Sequence, residues 1–176
     1  MAEGARVKTP AEWTDRVRLD QIGQGLKRHL IADDAARGGI ARTLDLADLS
    51  RLEADVDLAP SGGGWRLKGR VQADLVQTCG ITLEPLPSSI DSTFQIDLRE
   101  ATDLEGGQAA FDIDPDGPDG PDLIEGGGID LATYVVEHLA LAIDPWPRKP
   151  GAAFEAPEGS PEPSPFDVLR SLKTNE

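Results

Sequence analysis

Few residues of this chain have side chains suited to catalysis or metal binding. There is one cysteine, Cys79, and the two histidines, His29 and His138, are far apart in the sequence. A zinc site could use these three residues and one carboxylate, but they lack the short ligand spacings typical of such sites. Nothing indicates that either imidazole reaches the thiol, as a cysteine nucleophile would require. We therefore expect Cys79 to be a buried structural thiol, with no cofactor and no metal.

Carboxylates are concentrated in residues 100–128, a stretch rich in aspartate, glycine and proline. Asp112, Asp114 and Asp116 match the first half of a calcium-binding loop. The second half does not match, because the position of the bidentate glutamate is occupied by Leu123 and prolines prevent the flanking helices. Acidic segments of this composition usually stay unfolded, so we expect a solvated acidic loop without tight calcium binding.

The densest basic stripe of the chain, Arg66, Lys68 and Arg70, is expected to be neutralised by carboxylates of a neighbouring strand, and one small cluster of basic residues remains near the N-terminus. Besides His29, its members are Arg16, Arg18, Lys27 and Arg28. Such a cluster could contact RNA or another acidic surface, but the same residues could also be ordinary solvated positions. The sequence leaves both interpretations open.

The charge of the whole chain disfavours naked nucleic acid as a partner. It has 32 acidic and 17 basic residues, which give a formal net charge of −15. This charge repels phosphate backbones and attracts basic proteins.

No apolar run approaches the length of a membrane span, the N-terminus lacks the apolar core of a signal peptide, and a single cysteine cannot form an internal disulfide. We expect a cytoplasmic protein that binds no membrane.

A β-hairpin is the element predicted most directly from the sequence. Apolar and polar residues alternate in segments 52–58 and 65–75, which indicates two half-buried strands. The proline and glycines of residues 59–64 predict the turn between them. A hairpin symmetric about this turn pairs opposite charges on one face and apolar residues on the other. The predicted pairs are Asp57 with Arg66, Asp55 with Lys68, Glu53 with Arg70, Leu58 with Trp65, and Val56 with Leu67.

A third strand and two helices complete the predicted fold. Residues 90–98 alternate in the same way after a turn predicted at residues 85–87. A short helix is expected over residues 35–44. An apolar helix over residues 131–143 is expected to pack against the sheet. The predicted fold class is α+β, with an antiparallel β meander or a partly closed barrel packed by the C-terminal apolar helix.

Single residues limit these two helices. Asp33 or Asp34 caps the first, and Asp130 caps the second. Pro145 stops the apolar helix, because proline cannot continue the backbone hydrogen-bond pattern. Glu137 and His138 are expected near the edge of its packed surface.

The predicted domain organisation has three parts. Residues 1–10 form a flexible arm, residues 11–150 form a single α+β domain, and residues 151–176 form an extended tail. The tail ends in a short helical hook with Phe166, Leu169 and Leu172 at helical spacing. Such a hook docks either on its own domain or on a partner, and the sequence does not decide between the two.

Three sequence blocks in this order resemble the YceD family, the large ribosomal RNA subunit accumulation proteins of bacteria and plastids. The blocks are residues 69–79 leading into 83–86, residues 128–141 followed by Pro145-Trp146-Pro147, and residues 163–173. The resemblance covers most of the chain beyond Trp13. It implies a role in the production, processing or stability of 23S ribosomal RNA, and thus in assembly of the large ribosomal subunit. It implies no enzymatic mechanism.

One departure from the family pattern concerns the Cys79 region. Many relatives have Cys-x-x-Cys here, with further Cys and His residues after the apolar helix, an arrangement suited to a metal. In this chain Thr82 replaces the second cysteine, and residues 147–150 offer no thiol or imidazole. We therefore expect any metal site of the relatives to be absent, with hydrophobic packing or strand pairing holding this part of the fold.

We therefore predict a non-catalytic ribosome-assembly factor that binds a basic ribosomal protein or assembly factor, and the sequence does not decide whether it contacts rRNA directly. The alternatives are a metal-dependent RNA-processing enzyme that uses the aspartates of residues 112–116, and direct rRNA binding through the basic cluster. The candidate partner-binding residues are Arg16, Arg18, Lys27, Arg28, Glu137, His138, Phe166 and Leu169.

Overall fold

The computed structural model describes residues 13–101 and 120–154. The arm predicted for residues 1–10 lies outside these ranges, as do the three aspartates of the calcium-like loop. The terminal hook with Phe166 and Leu169 also lies outside the described residues.

Two helices and seven strands are present in the described residues. In chain order they are β1 (Arg16–Arg18), β2 (Leu26–Ile31), α1 (Asp34–Thr43), β3 (Asp48–Ser61), β4 (Gly64–Thr78), β5 (Pro85–Glu100), β6 (Asp122–Ile124), β7 (Gly128–Asp130) and α2 (Leu131–Ala142). A short 3-10 helix, Leu19–Gln21, follows β1.

The main sheet has five strands in the order β2-β3-β4-β5-β6. The first four strands form an antiparallel meander, and the short β6 adds in parallel to β5. β1 and β7 form a separate antiparallel pair. The predicted mixed fold with an antiparallel meander and a C-terminal helix is confirmed. The sheet is open in the described residues, so the barrel alternative is not realised.

The predicted hairpin register is wrong by two residues. Asp57 pairs with Lys68 instead of Arg66, and Asp55 pairs with Arg70 instead of Lys68. The reason is the turn, which has only two central residues, Gly62 and Gly63, with φ of 58° and 85°. Positive φ at both central positions is typical of a type I′ turn, which matches the twist of the strands. A shift of two residues keeps every side chain on its predicted face, because the side-chain period of a strand is two.

The carboxylates that neutralise the basic stripe of β4 also differ from those predicted. Arg66 Nε lies 2.7 Å from Asp97 Oδ1, and Arg70 Nη2 lies 2.6 Å from Asp91 Oδ2. Both partners are on β5, whereas the sequence predicted partners on β3. Two β3 carboxylates instead face β2, where Asp57 Oδ2 lies 3.4 Å from the ammonium nitrogen of Lys27 and Asp55 Oδ1 lies 2.8 Å from His29 Nδ1. The exposed face of the sheet therefore carries alternating, mutually compensating charges.

Two loop predictions are also corrected. Residues 85–87 lie at the start of β5, where Pro85 pairs with Thr78, and the turn is formed by residues 79–84. Proline is tolerated there because, among the described strands, this part of β5 is an edge. The predicted acidic loop of residues 100–128 ends in regular structure, since β6 and the start of β7 lie within it.

The core lies between one face of the sheet and the two helices. β3 and β4 contribute alternate apolar residues, and α2 contributes Leu131, Val135, Val136 and Leu139. Burying such side chains contributes roughly 25 cal/mol for each Å² of apolar surface, which makes this face the main source of stability. The described helices and strands thus share one continuous hydrophobic cluster.

Carboxylates cap both helices where the sequence placed them. Asp33 Oδ1 accepts a hydrogen bond from Ala36 N at 2.8 Å. Asp130 Oδ1 accepts from Ala132 N at 3.2 Å and also from Asp15 N at 2.9 Å. Asp130 therefore joins the start of α2 to the N-terminal segment as well as capping the helix. α2 ends at Ala142, two residues before the Asp144-Pro145 peptide bond.

Candidate functional site

The structure brings together two of the predicted basic residues, Arg16 and Arg28, but each faces a carboxylate. Arg16 Nε lies 3.9 Å from Asp130 Oδ2, and Arg28 Nε lies 3.8 Å from Asp15 Oδ2. Asp15 and Asp130 are themselves joined by the hydrogen bond from the backbone of Asp15. These two arginines therefore belong to an ion-paired network at the N-terminus of α2.

The other two predicted basic residues are also paired. Lys27 faces Asp57 across β2 and β3, and Arg18 makes a two-pronged contact with Asp20, at 3.1 Å and 2.9 Å. Hydrogen bonding to Arg18 lowers the pKa of Asp20. Exposed ion pairs are weak, so the pairing removes the net positive charge without fixing the side chains. The cluster is therefore not a patch of uncompensated positive charge.

Glu137 and His138 lie on a half-buried face of α2. The His138 ring stacks on Phe94 of β5, with ring centroids 3.9 Å apart and an interplanar angle of 21°. Its Nδ1 lies 2.8 Å from the carbonyl oxygen of Tyr134, one turn earlier in the helix. Phe94 in turn lies over Gly69 of β4, where a methyl group would overlap the ring. His138 therefore helps to pack α2 against the sheet.

Cys79 is fully buried directly after β4 and has two backbone donors to its sulfur. The N–H of Thr82 donates to Sγ at 3.4 Å, and the N–H of Lys149 donates at 3.3 Å. Hydrogen bonding from Thr82, through its side chain and its backbone, and then from the backbone of Lys149 lowers the pKa of the thiol to about 6. The sulfur thus connects two segments that are 70 residues apart.

We call these two segments, residues 79–84 and 147–149, the Cys79 corner. Gly80 N donates to the carbonyl oxygen of Pro147 at 2.9 Å, and the Lys149 ammonium lies 2.8 Å from Glu84 Oε2. Thr82 Oγ1 donates to the same carboxylate oxygen at 3.1 Å. The sequence predicted that hydrophobic packing or strand pairing holds this region. It did not predict these hydrogen bonds or the ion pair.

The residues of the Cys79 corner do not fit the metal site suggested by the family pattern. Its donor set is one thiolate together with Glu84, and Lys149 and Thr82 already contact that carboxylate. Across residues 13–101 and 120–154, no group of three or more His, Cys, Asp or Glu side chains is placed to hold a metal ion.

Beside the Cys79 corner lies an open groove of about 790 Å³. We call it the Trp146 groove, because the side chain of Trp146 on its wall is 76% exposed. Its walls come from the α1–β3 loop, the end of β4 and the segment after α2. Its apolar lining residues include Leu44, Leu46, Ile81, Ile143, Pro145 and Trp146.

The charged residues that line the Trp146 groove are Asp45, Asp144 and Arg148. Asp45 is exposed and has a φ of 54°, in the left-handed region that aspartate and asparagine tolerate better than most residues. Sequence reasoning missed this groove. The available signal was a tryptophan between two prolines directly after an apolar helix.

The excess negative charge is divided between the fold and the rest of the chain. Of the 32 acidic and 17 basic residues, 13 acidic and four basic residues lie outside the described ranges, which leaves a formal charge of −6 on the described part. Residues 102–119 alone contain six acidic residues and no basic ones. None of the described helices is long and apolar enough to cross a membrane.

Fold and site together define a small α+β protein with a charge-compensated sheet face, a hydrogen-bonded corner and an apolar groove. The model of the YceD family, described as large ribosomal RNA subunit accumulation protein YceD, matches residues 67–173, which is more than half of the chain. The chain belongs to this family, so the resemblance predicted from the three sequence blocks is confirmed. No curated protein and no solved structure matches the chain.

Family membership connects the chain to the accumulation of large-subunit ribosomal RNA, as the family description states. The matched region begins in β4 and includes the Cys79 corner, the segment after α2 and most of the C-terminal tail. β1, β2, α1 and β3 lie before it.

Proposed function

We propose that this protein is a non-catalytic factor that supports 23S rRNA processing and large-subunit assembly by binding a basic ribosomal protein or assembly factor. The family description supports the rRNA connection. The protein partner is supported by charge, because an acidic surface attracts and orients a basic protein at long range.

The observation that carries this proposal is the pairing of the predicted basic cluster. Arg16, Arg18, Lys27 and Arg28 each face a carboxylate, while the described part of the chain keeps an excess of negative charge. Phosphate binding draws its free energy from cations that release counterions from the nucleic acid. Basic side chains that already face carboxylates, on a fold with net negative charge, are poorly suited to binding phosphate. The excess negative charge instead suits a basic protein as the partner.

The acidic stretch of residues 102–119 provides the most concentrated negative charge for such a partner. Association driven by this charge is fast at low ionic strength and weakens as salt is added, because the Debye length falls to about 8 Å at physiological ionic strength. Any part of the interface that buries apolar surface is less sensitive to salt. Salt dependence therefore separates the electrostatic contribution from the apolar one.

Affinity capture of the tagged full-length protein from growing cells tests the proposal, with and without ribonuclease treatment. We expect a basic large-subunit protein or assembly factor to be recovered at low salt, to survive ribonuclease and to be lost as salt rises. Recovery of rRNA alone, lost on ribonuclease treatment, would favour direct RNA binding. Recovery of no basic protein at low salt would contradict the proposal.

The enzyme alternative is tested with the aspartates that the calcium-like pattern singled out. Purified protein and a variant with Asp112, Asp114 and Asp116 changed to Asn are incubated with precursor rRNA and Mg²⁺. We expect no cleavage by either protein, and weaker capture of the basic partner by the variant. Cleavage that is lost in the variant would establish the nuclease instead.

A further inference from the structure

The Trp146 groove is a formed apolar surface to which the proposed function assigns no role. A large exposed aromatic side chain beside a concave apolar lining is typical of an interaction site. Trp146 is 76% exposed, and Leu141, on the last turn of the adjoining helix, is 81% exposed. This end of the fold therefore presents unburied apolar groups in close sequence proximity.

The walls of the groove are fixed to one another by hydrogen bonds. The side-chain amide of Gln77 donates to the carbonyl oxygen of Asp144 at 2.8 Å, and Ala47 N donates to the carbonyl oxygen of Val76 at 2.8 Å. Trp146 N donates to Asp144 Oδ1 at 2.9 Å. These contacts pre-organise the groove, so a ligand that enters it does not first have to order its walls.

The C-terminal tail contains a segment with matching chemistry. Phe166, Leu169 and Leu172 are spaced so that a helix places them on one side, which is the pattern of helix-in-groove recognition. Arg170 and Lys173 are the only basic residues of the chain after Lys149. Among the described residues, the charged ones that line the groove are Asp45, Asp144 and Arg148, a net charge of −1, whereas residues 165–173 carry Asp167, Arg170 and Lys173, a net charge of +1, so the two charges are complementary.

The tail also starts at the groove and is long enough to return to it. Arg148 lines the groove, and the described chain ends six residues later at Phe154. Residues 155–164 can span up to about 35 Å, at roughly 3.5 Å for each extended residue. The match to the YceD family model runs from Leu67 in β4 through the segment after α2 to Lys173 in the tail, so it includes both the groove walls from these elements and the proposed tail segment.

We propose that residues 165–173 bind in the Trp146 groove of the same chain, with Phe166 and Leu169 against its apolar walls. Arg170 and Lys173 then lie close to the acidic residues of the groove, Asp45 and Asp144. The tail then covers the exposed side chain of Trp146. The contact is intramolecular, so it does not depend on the ribosomal partner of the proposed function.

Paramagnetic broadening in NMR spectra of the full-length protein tests this contact. A spin label is attached at Thr174→Cys, because Cys79 is fully buried, and wild-type protein treated with the same reagent shows whether it reacts. We expect the signals of Trp146 and Ala47 to lose intensity strongly. The signals of Gly62 and Gly63 should keep theirs, because β4 has 15 residues and places them about 50 Å away.

A double variant, Phe166→Ala with Leu169→Ala, should remove the broadening at Trp146, whereas the matched change Ser171→Ala should preserve it. Mixing isotope-labelled chains without a spin label with spin-labelled chains of natural isotope content tests for binding between copies. Broadening that persists in this mixture would assign the groove to the tail of a second copy and overturn the intramolecular contact. Equal broadening of groove and hairpin signals, or none at either, would overturn the docking itself.

Discussion

The sulfur of Cys79 accepts a backbone hydrogen bond from Lys149, at 3.3 Å, across 70 residues of sequence. A second backbone N–H, that of Thr82, approaches the same sulfur at 3.4 Å. Two donors directed at a buried thiol favour its ionised form, since they stabilise the negative charge on sulfur. The Cys79 corner therefore joins the end of β4 to the segment after α2 through this sulfur.

This geometry predicts how the Cys79 thiol titrates. Because the pKa of Cys79 is lowered to about 6, the ultraviolet absorbance of the thiolate should rise with a midpoint near that pH in the folded protein. After unfolding, the midpoint should return to the ordinary value of about 8.5. Cys79→Ser gives the baseline, and a midpoint near 8.5 in the folded protein would contradict the prediction.

The same shift makes stability depend on pH in a stated direction. The thiol of the folded state has the lower pKa, so between pH 6 and the unfolded value the unfolded state binds more protons. The contribution of Cys79 to the free energy of unfolding is therefore complete above the unfolded pKa and is lost as pH falls towards 6. Urea denaturation over this range should show that the free energy of unfolding rises more with pH for wild type than for Cys79→Ser. Equal slopes would refute the linkage.

Gly69 should not tolerate a larger side chain. A methyl group there would overlap the Phe94 ring, which is stacked on His138, so Gly69→Ala must displace this pair. Overpacking of this kind typically costs about 1–3 kcal/mol, and we expect that loss in the free energy of unfolding.

The control for this substitution is Gly38→Ala in α1, where the nearest atom within reach is the flexible end of Arg42. Alanine is the better helix former, so this change should stabilise the protein by up to about 1 kcal/mol. Phe94→Leu removes the obstructing ring, so Gly69→Ala should cost less in that background. An equal cost in both backgrounds would show that the ring is not the cause.

Asp130 is predicted to contribute stability through two backbone donors. Asp130→Ala removes the acceptor for Ala132 N and Asp15 N and should lower the free energy of unfolding by about 1–2 kcal/mol. Asp130→Asn keeps an acceptor oxygen and should lose less. Urea denaturation of both variants measures the difference, and identical losses would assign the effect to charge, through the ion pair with Arg16.

The sheet could be predicted from the sequence because its signal is local. Alternation in β3 and β4 identified the buried face correctly, even though the pairing was wrong by two residues. The error came from counting Ala59, Pro60 and Ser61 as turn, whereas the left-handed Gly62-Gly63 pair alone reverses the chain. The buried face of a strand follows from the period of two in its side chains. The pairing register of the hairpin depends on the length of the turn, which the composition of the turn does not reveal.

The surface features depend on long-range contacts that no local pattern encodes. The partners of Arg66 and Arg70 lie on β5, so the compensation of the basic stripe follows from the sheet order. The Trp146 groove requires three segments to meet, and the Cys79 hydrogen bonds require the chain to return after 70 residues. The helix caps, by contrast, were predicted at Asp33 or Asp34 and at Asp130, because a cap acts within three residues.

The central claim, that this protein acts by binding a basic partner, is tested most directly with purified components. Full-length protein is immobilised and exposed separately to proteins extracted from large ribosomal subunits and to 23S rRNA, each at low and raised salt. The account predicts selective retention of a basic protein at low salt, its release as salt rises, and no retention or cleavage of the RNA. Retention or cleavage of the RNA without any retained protein would contradict it.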